Sequence, residues 1–182
     1  MKKKSPLRAI ITIAIIAAAA VLLVRSFQIP NLNCISPGVL YTSAQPRDMD
    51  YTRLLYKYHI STIINLRSST EHREQNWYSE EITWVRINDV KYVEMPLDRN
   101  VNNPAHFPDA NMQKQFLDIM ADRRNLPVLI HDGKGKGRVA ILAAVWLAKS
   151  QQQPLEQLLA DAVNKHGQLT EQETNFIHGL LK

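Results

Sequence analysis

The sequence predicts an α/β domain with a mostly parallel central sheet flanked by helices on both faces, preceded by an N-terminal transmembrane helix. Three observations carry that reading. The apolar, largely β-branched runs at 61–66 and 127–131 are too short for helices and read as buried strands. Segments with apolar residues at helical spacing separate such runs. No hairpin signal joins consecutive strands, so the connections are crossovers and the sheet is largely parallel.

At 182 residues, 45% hydrophobic and 21% charged, the chain suits one globular domain with an addition at one end. The division expected is 1–30 for a basic N-terminus, membrane span and linker, and 31–182 for the domain. The net charge of +5 comes from the N-terminus and from one glycine- and lysine-rich loop. That distribution disfavours a nucleic-acid groove and favours anionic small ligands or a membrane surface. Cys34 is the only cysteine, which excludes a disulfide within the chain and a cysteine zinc site; it reads as a small buried or loop thiol.

Lys2, Lys3, Lys4 and Arg8 precede an uncharged run, Ala9 to Val24, that ends at Arg25. At about 1.5 Å per residue that run spans roughly 24 Å, short of a hydrocarbon core of about 30 Å unless Leu7 and the arginine stems extend it. The alanine cluster 17–20 is followed by further apolar residues rather than a cleavage motif, so an uncleaved signal anchor is expected. The basic cluster places the N-terminus inside and the domain outside, which is periplasmic in a bacterium.

In chain order, Gly38 to Tyr41 reads as an edge strand closed by Pro46. Tyr51, Leu54, Leu55 and Tyr58 give a one-sided helix over 48–58, and 61–66 the first buried strand, with Arg67 at its end. Arginines at strand ends usually pair with a carboxylate, so Arg67 reads as structural. Glu71 to Glu81 reads as an exposed helix, and either 84–87 or 92–95 as the next strand. A polar loop with two prolines, 96–104, follows. Met112, Phe116, Ile119 and Met120 share a helix face, and Leu155 to Val163 forms another closed near Gly167. Thr170 with Glu173 is a capping box for a last helix carrying Phe176, Ile177, Leu180 and Leu181.

The organising stretch is 127–149: a buried strand to His131, a loop from Asp132 to Gly137, and a helix apolar almost all round from Arg138. Gly133, Gly135 and Gly137 let the backbone approach a ligand, and the loop feeds a helix N-terminus, so its amides form a nest for an anion such as phosphate. Arg138 is the candidate clamp.

This loop resembles the phosphate loop of the cysteine-dependent protein tyrosine and dual-specificity phosphatases, H-C-x5-R-[ST], most closely its H-C-x-x-G-K-x-R form. His131, Gly135, Lys136 and Arg138 fall on matching positions; Asp132 falls on the nucleophilic cysteine and Val139 on the hydroxyl residue. Residues 38–46 resemble the G-x-x-Y-R-S-x-Q-P opening of small bacterial and fungal members, with Thr42 in place of arginine. The following helix and the run ending in Asn65-Leu66-Arg67 continue the likeness. The resemblance implies a phosphate monoester (protein, lipid or small molecule) as ligand, Gly133, Lys134, Gly135, Lys136, Gly137 and Arg138 as the phosphate-binding loop, His131 as a buried support that hydrogen-bonds the loop, and Asp98 as general acid. Asp98 lies thirty-four residues before Asp132, on the polar loop. No cofactor is implied, and Asp132 with Asp98 is a thin ligand set for a metal.

Asp132 decides the chemistry. Like unit charges about 4 Å apart cost roughly 4 kcal/mol at an effective dielectric near 20, so an ionised Asp132 opposes a phosphate above it. Three outcomes stay open: Asp132 fills the nest itself and leaves a catalytically inactive binding or interaction module, it is protonated and tolerates phosphate, or it attacks as a carboxylate to form an acyl phosphate.

Overall fold

In a computed structural model of the chain, the described residues are 6–26, 28–72, 76–97 and 107–181. Helix α1 spans Pro6–Ser26. Among the described residues no helix is long and apolar enough to cross a membrane, so the expected transmembrane span is not met there. Arg8 and Arg25 confine the uncharged run, which at about 1.5 Å per residue falls short of a bilayer core of roughly 30 Å.

The domain opens with strands β1 (Asn33–Ser36) and β2 (Leu40–Ser43), which pair antiparallel around Gly38 at φ +69°. This hairpin corrects the expectation of none: the turn is longer than the two-residue signal sought. It also corrects the edge assignment of 38–41, because β1 covers the outer side of β2. Cys34 is exposed on β1 rather than buried.

Helix α2 (Met49–Tyr56) leads to β3 (Thr62–Asn65), then α3 (Ser69–His72), α4 (Asn76–Ile87) and β4 (Lys91–Glu94). Residues 84–87 are therefore helical, and 91–94 supplies the strand. Helix α4 is not simply exposed as expected: Trp77, Glu81 and Val85, at i, i+4 and i+8, all point inward. Helix α5 (Ala110–Ala121) starts at Asp109, whose carboxylate accepts from the Met112 amide, and is followed by a 3-10 turn, Arg123–Asn125. Strand β5 (Val128–His131) then feeds α6 (Gly137–Lys149), α7 (Leu155–His166) and α8 (Glu171–Gly179). Gly167 closes α7 at φ +92°, and the Thr170–Glu173 capping box opens α8.

The sheet order is β1-β2-β5-β3-β4, parallel throughout apart from the β1–β2 pair. Alternation along the strands sends successive side chains to two cores. Leu40, Ile64, Val128 and Ile130 pack with α5 to α8, whereas Ile63 and Leu129 pack with Tyr51, Leu54 and Val85 from α2 and α4. Ile29 joins the second core ahead of the sheet. Helices thus cover both faces, as expected. The register sets His131 between Ser43 and Asn65, so the ends of β2, β5 and β3 meet at one edge of the sheet. In open parallel sheets ligands bind outside that carboxyl edge.

Candidate active site

The loop leaving β5 is held by its own backbone geometry. Gly135 sits at φ +66°, and a Cβ there would lie 2.4 Å from the Ala44 nitrogen and 2.6 Å from the Ser43 carbonyl carbon. Only glycine lets the loop pack this closely on the end of β2. The Lys134 carbonyl accepts from Asn31 Nδ2 at 2.8 Å, and His166 Nδ1 lies 3.5 Å from the Gly135 carbonyl. Burial pulls the His166 pKa down, with the Gly135 carbonyl opposing.

Two amides of this loop point at one anion, which is Asp132 itself. Its Oδ1 accepts from the Lys134 amide at 2.8 Å and from the Gly135 amide in a shorter bond. Its Oδ2 accepts from Arg138 Nε at 3.2 Å. Asp132 is buried, whereas Lys134 and Lys136 are exposed at the rim and Gly133, Gly137 and Arg138 half-exposed.

Arg138 is held on its other side by α3. Its Nη1 donates to Glu71 Oε1 at 2.7 Å and to the Leu66 carbonyl at 3.1 Å, and its Nη2 to Glu71 Oε2 at 3.3 Å. Burial alone would push the Glu71 carboxyl up, but its hydrogen bonds to Arg138 and Arg67, with the Arg138 charge, bring it down to about 2. Burial likewise opposes the Arg138 charge, yet Glu71 and Asp132 together raise its pKa. Arg67 donates from Nε to the same Glu71 Oε2 at 3.0 Å and lies over the Trp77 ring, Cζ 3.7 Å from the centroid. The expected carboxylate partner of Arg67 is therefore Glu71.

Beneath the loop lies a buried polar cluster around Glu81. Tyr92 donates to Glu81 Oε2 at 3.0 Å, and Gln45 and Tyr51 to Oε1 at 3.3 and 3.4 Å. Burial and the Glu81 charge push both phenol pKa values up. His131 is fully buried, as expected, but its ring makes no hydrogen bond to the loop; Nε2 lies 3.0 Å from Glu81 Oε1, within ion-pair distance and out of line for a hydrogen bond. Sequence reasoning missed Glu71, Gln45 and Glu81. The stripe Trp77-Glu81-Val85 was the available signal for Glu81, and nothing in the local pattern marks Glu71.

Above the loop is a cavity of about 560 Å³ lined by Arg67, Glu71, Asp132, loop residues and Arg138 together with Phe107, Thr170 and Glu173. Asp98 and the rest of 98–106 lie outside the described residues. Among the described residues no group of three or more His, Cys, Asp or Glu is placed to hold a metal ion.

The parallel sheet thus ends in a glycine loop that carries a buried carboxylate, Asp132, and leads to an arginine, Arg138, at a helix start. A family model described as "Swiss Army Knife protein, DSP-PTPase phosphatase domain" matches residues 29–178, and the chain belongs to that family. It is 28% identical over 122 residues to the tyrosine-protein phosphatase-like protein OCA2 of Saccharomyces cerevisiae, covering 64% of this chain and 57% of OCA2. It is 25% identical over 148 residues to inositol diphosphatase DSP3 of Arabidopsis thaliana, covering 81% of this chain and 68% of DSP3. The chain thus spans little more than half the length of OCA2. The core catalytic domain of the PP-IP phosphatase SIW14 from S. cerevisiae, solved with citrate, shares the fold: TM-score 0.65 and 22% identity, over 82% of this chain and 86% of that one.

Proposed function

We propose that the domain binds phosphate monoesters in the 132–138 loop, that Asp132 stands where the family carries its cysteine nucleophile, and that thiolate catalysis is closed to this chain. One observation supports the reading above the rest. The nest holds an anion, the Asp132 carboxylate, with two backbone amides and a guanidinium, the donor set a phosphate oxygen would use. The ligand class is a phosphorylated inositol, free or lipid-borne, by analogy with the relatives named diphosphatase and PP-IP phosphatase. Phosphate displaces Asp132 from the nest, and Asp98 is the general-acid candidate by the family resemblance.

A second reading, turnover by Asp132 itself, is favoured by the phosphatase names of those relatives. The carboxylate would attack phosphorus and expel the alcohol, and water would then cleave the acyl phosphate. The two are separated by assaying the full chain on a generic aryl phosphate, with and without Mg²⁺, beside a binding titration with an inositol phosphate. Binding without turnover is the expected result. Turnover that is lost in Asp132→Ala establishes the second reading, and absence of both binding and turnover removes both.

We also propose that α1 attaches the domain to a membrane, N-terminus inside and residues from Ser26 outward. The excess of Lys2, Lys3, Lys4 and Arg8 over Arg25 supports this. So does the exposure of Ile10, Ile11, Ile13, Ile15 and Ile16, each at least half accessible and not covered by the domain. A reporter fused after Lys182 should be active only outside the cytoplasm; activity confined to the cytoplasm overturns the topology.

A further inference from the structure

We infer that Arg67 is a second anion-binding group of this cavity, selecting ligands that carry another anionic group beside the phosphate held by Arg138. The inference rests on the phosphate-binding reading and names the residue that sets its selectivity. Arg67 emerges just after β3, where its amide donates to Asn65 Oδ1 at 2.8 Å, so its backbone is fixed at the carboxyl edge of the sheet. Its guanidinium is fixed as well. Trp77 lies beneath it, Glu71 Oε2 accepts from Nε at 3.0 Å, and Gln45 Oε1 accepts from Nη1 at 3.3 Å. Gln45 in turn is oriented by donating its amide to the buried Glu81.

That bracing leaves donors unused. An arginine has five N–H groups, and among the described residues Arg67 Nη2 has no acceptor. Its side chain is only 13% exposed, so an anion bound there is better shielded from solvent than one at a surface lysine. The guanidinium lies beside the phosphate loop and lines the same cavity. A Cβ added at Gly133 would lie 3.8 Å from both Cζ and Nε of Arg67, so the space between guanidinium and loop is open because residue 133 has no side chain. Arg67 and Arg138 also share one acceptor, Glu71 Oε2, at 3.0 and 3.3 Å. Two guanidinium groups thus stand one carboxylate apart on one wall of the cavity, Glu71 between them and Asp132 on the other side of Arg138. A monophosphate on Arg138 uses one of the two. A ligand with neighbouring phosphates uses both, and an arginine already held in place loses little conformational freedom in binding the second.

The test is calorimetric titration of the full chain with inorganic phosphate and with pyrophosphate, in the native protein and in Arg67→Ala, with Arg67→Gln as a second variant that keeps packing on Trp77. Pyrophosphate should bind native protein the more tightly, and the ratio of the two affinities should fall about tenfold in the variants, as loss of a charge-assisted hydrogen bond implies. An unchanged ratio overturns the inference, including the case in which both affinities fall together, since Arg67 would then only brace Glu71. Native protein that binds neither anion overturns the phosphate-binding reading and this inference with it. Repeating the titration with a free inositol polyphosphate and with vesicles carrying a bisphosphorylated phosphoinositide identifies the source. The physiological form is the one whose binding falls in Arg67→Ala, and indifference of both contradicts the proposal.

Discussion

Asp132 and Arg138 hold each other across the loop that joins them, carboxylate Oδ2 to guanidinium Nε at 3.2 Å. With Glu71 and the Leu66 carbonyl taking both Nη1 hydrogens and Glu71 one of Nη2, a single N–H of Arg138 remains without a partner among the described residues. A two-point grip on phosphate therefore requires Nε to leave Asp132. Removing the guanidinium should abolish the grip: Arg138→Ala is expected to weaken phosphate binding roughly a hundredfold, the scale of a charge-assisted bidentate pair. Titration of phosphate into the folded variant checks this, and unchanged affinity would make Arg138 a structural link between α6 and α3.

Acid should loosen this wall of the site. The Glu71 carboxyl ionises at about 2 in the folded protein against 4.5 ordinarily, so its contribution to stability is complete above about pH 4.5 and is lost as pH falls from there towards 2. Thermal melts of native protein and Glu71→Gln between pH 7 and pH 3 should converge on acidification. A gap that stays constant over that range would show that Glu71 contributes by packing and not by charge.

The backbone of the loop has little tolerance at one position. Gly135→Ala would place a methyl 2.4 Å from the Ala44 nitrogen in a left-handed conformation. Strain and overpacking together should cost about 2–4 kcal/mol, lowering Tm by roughly 5–15 °C in a domain of this size. Gly133→Ala, whose new Cβ meets only ordinary 3.8 Å contacts, is the matched control and should melt near native. Equal melting of the two would mean that the loop can shift away from β2.

If the site lacks only its nucleophile, Asp132→Cys should create phosphatase activity on an aryl phosphate, because a thiolate facing the Gly135 amide and Arg138 has a depressed pKa. Adding Val139→Thr should raise the activity, provided the new hydroxyl finds a partner, since position 139 is fully buried and an unpaired hydroxyl there costs about 1–3 kcal/mol. Asp98→Asn in the same background should lower it by removing the proton donor. A folded, phosphate-binding Asp132→Cys protein with no turnover would show that the loop no longer places the nucleophile in line with phosphorus.

The elements that periodicity controls were legible from the sequence. Strand β5, the apolar α6 and the capping box at Thr170 follow from local pattern, and the glycine spacing between Asp132 and Arg138 marked the anion nest. The β1–β2 hairpin was missed because its turn carries no two-residue signature, and α4 was read as exposed because two of its three inward residues, Trp77 and Glu81, look like surface residues in a charged context. Glu71 belongs to the site only because α3 folds back over Arg138 from 67 residues away, a tertiary contact with no local cause. The occupation of the nest by Asp132 stood among three open outcomes. In the structure Oδ1 accepts from two amides of its own loop and Oδ2 from Arg138, an arrangement that no local sequence pattern distinguishes from the other two.

The central claim is that the nest is built for an oxyanion and that Asp132 is its resident competitor. The most direct test is the phosphate affinity of native protein beside Asp132→Ser, measured by calorimetry at neutral pH. Emptying the nest of its carboxylate removes both the occupant and a like charge, so the variant should bind phosphate at least tenfold more tightly. Equal or weaker binding by a folded Asp132→Ser protein would contradict the account.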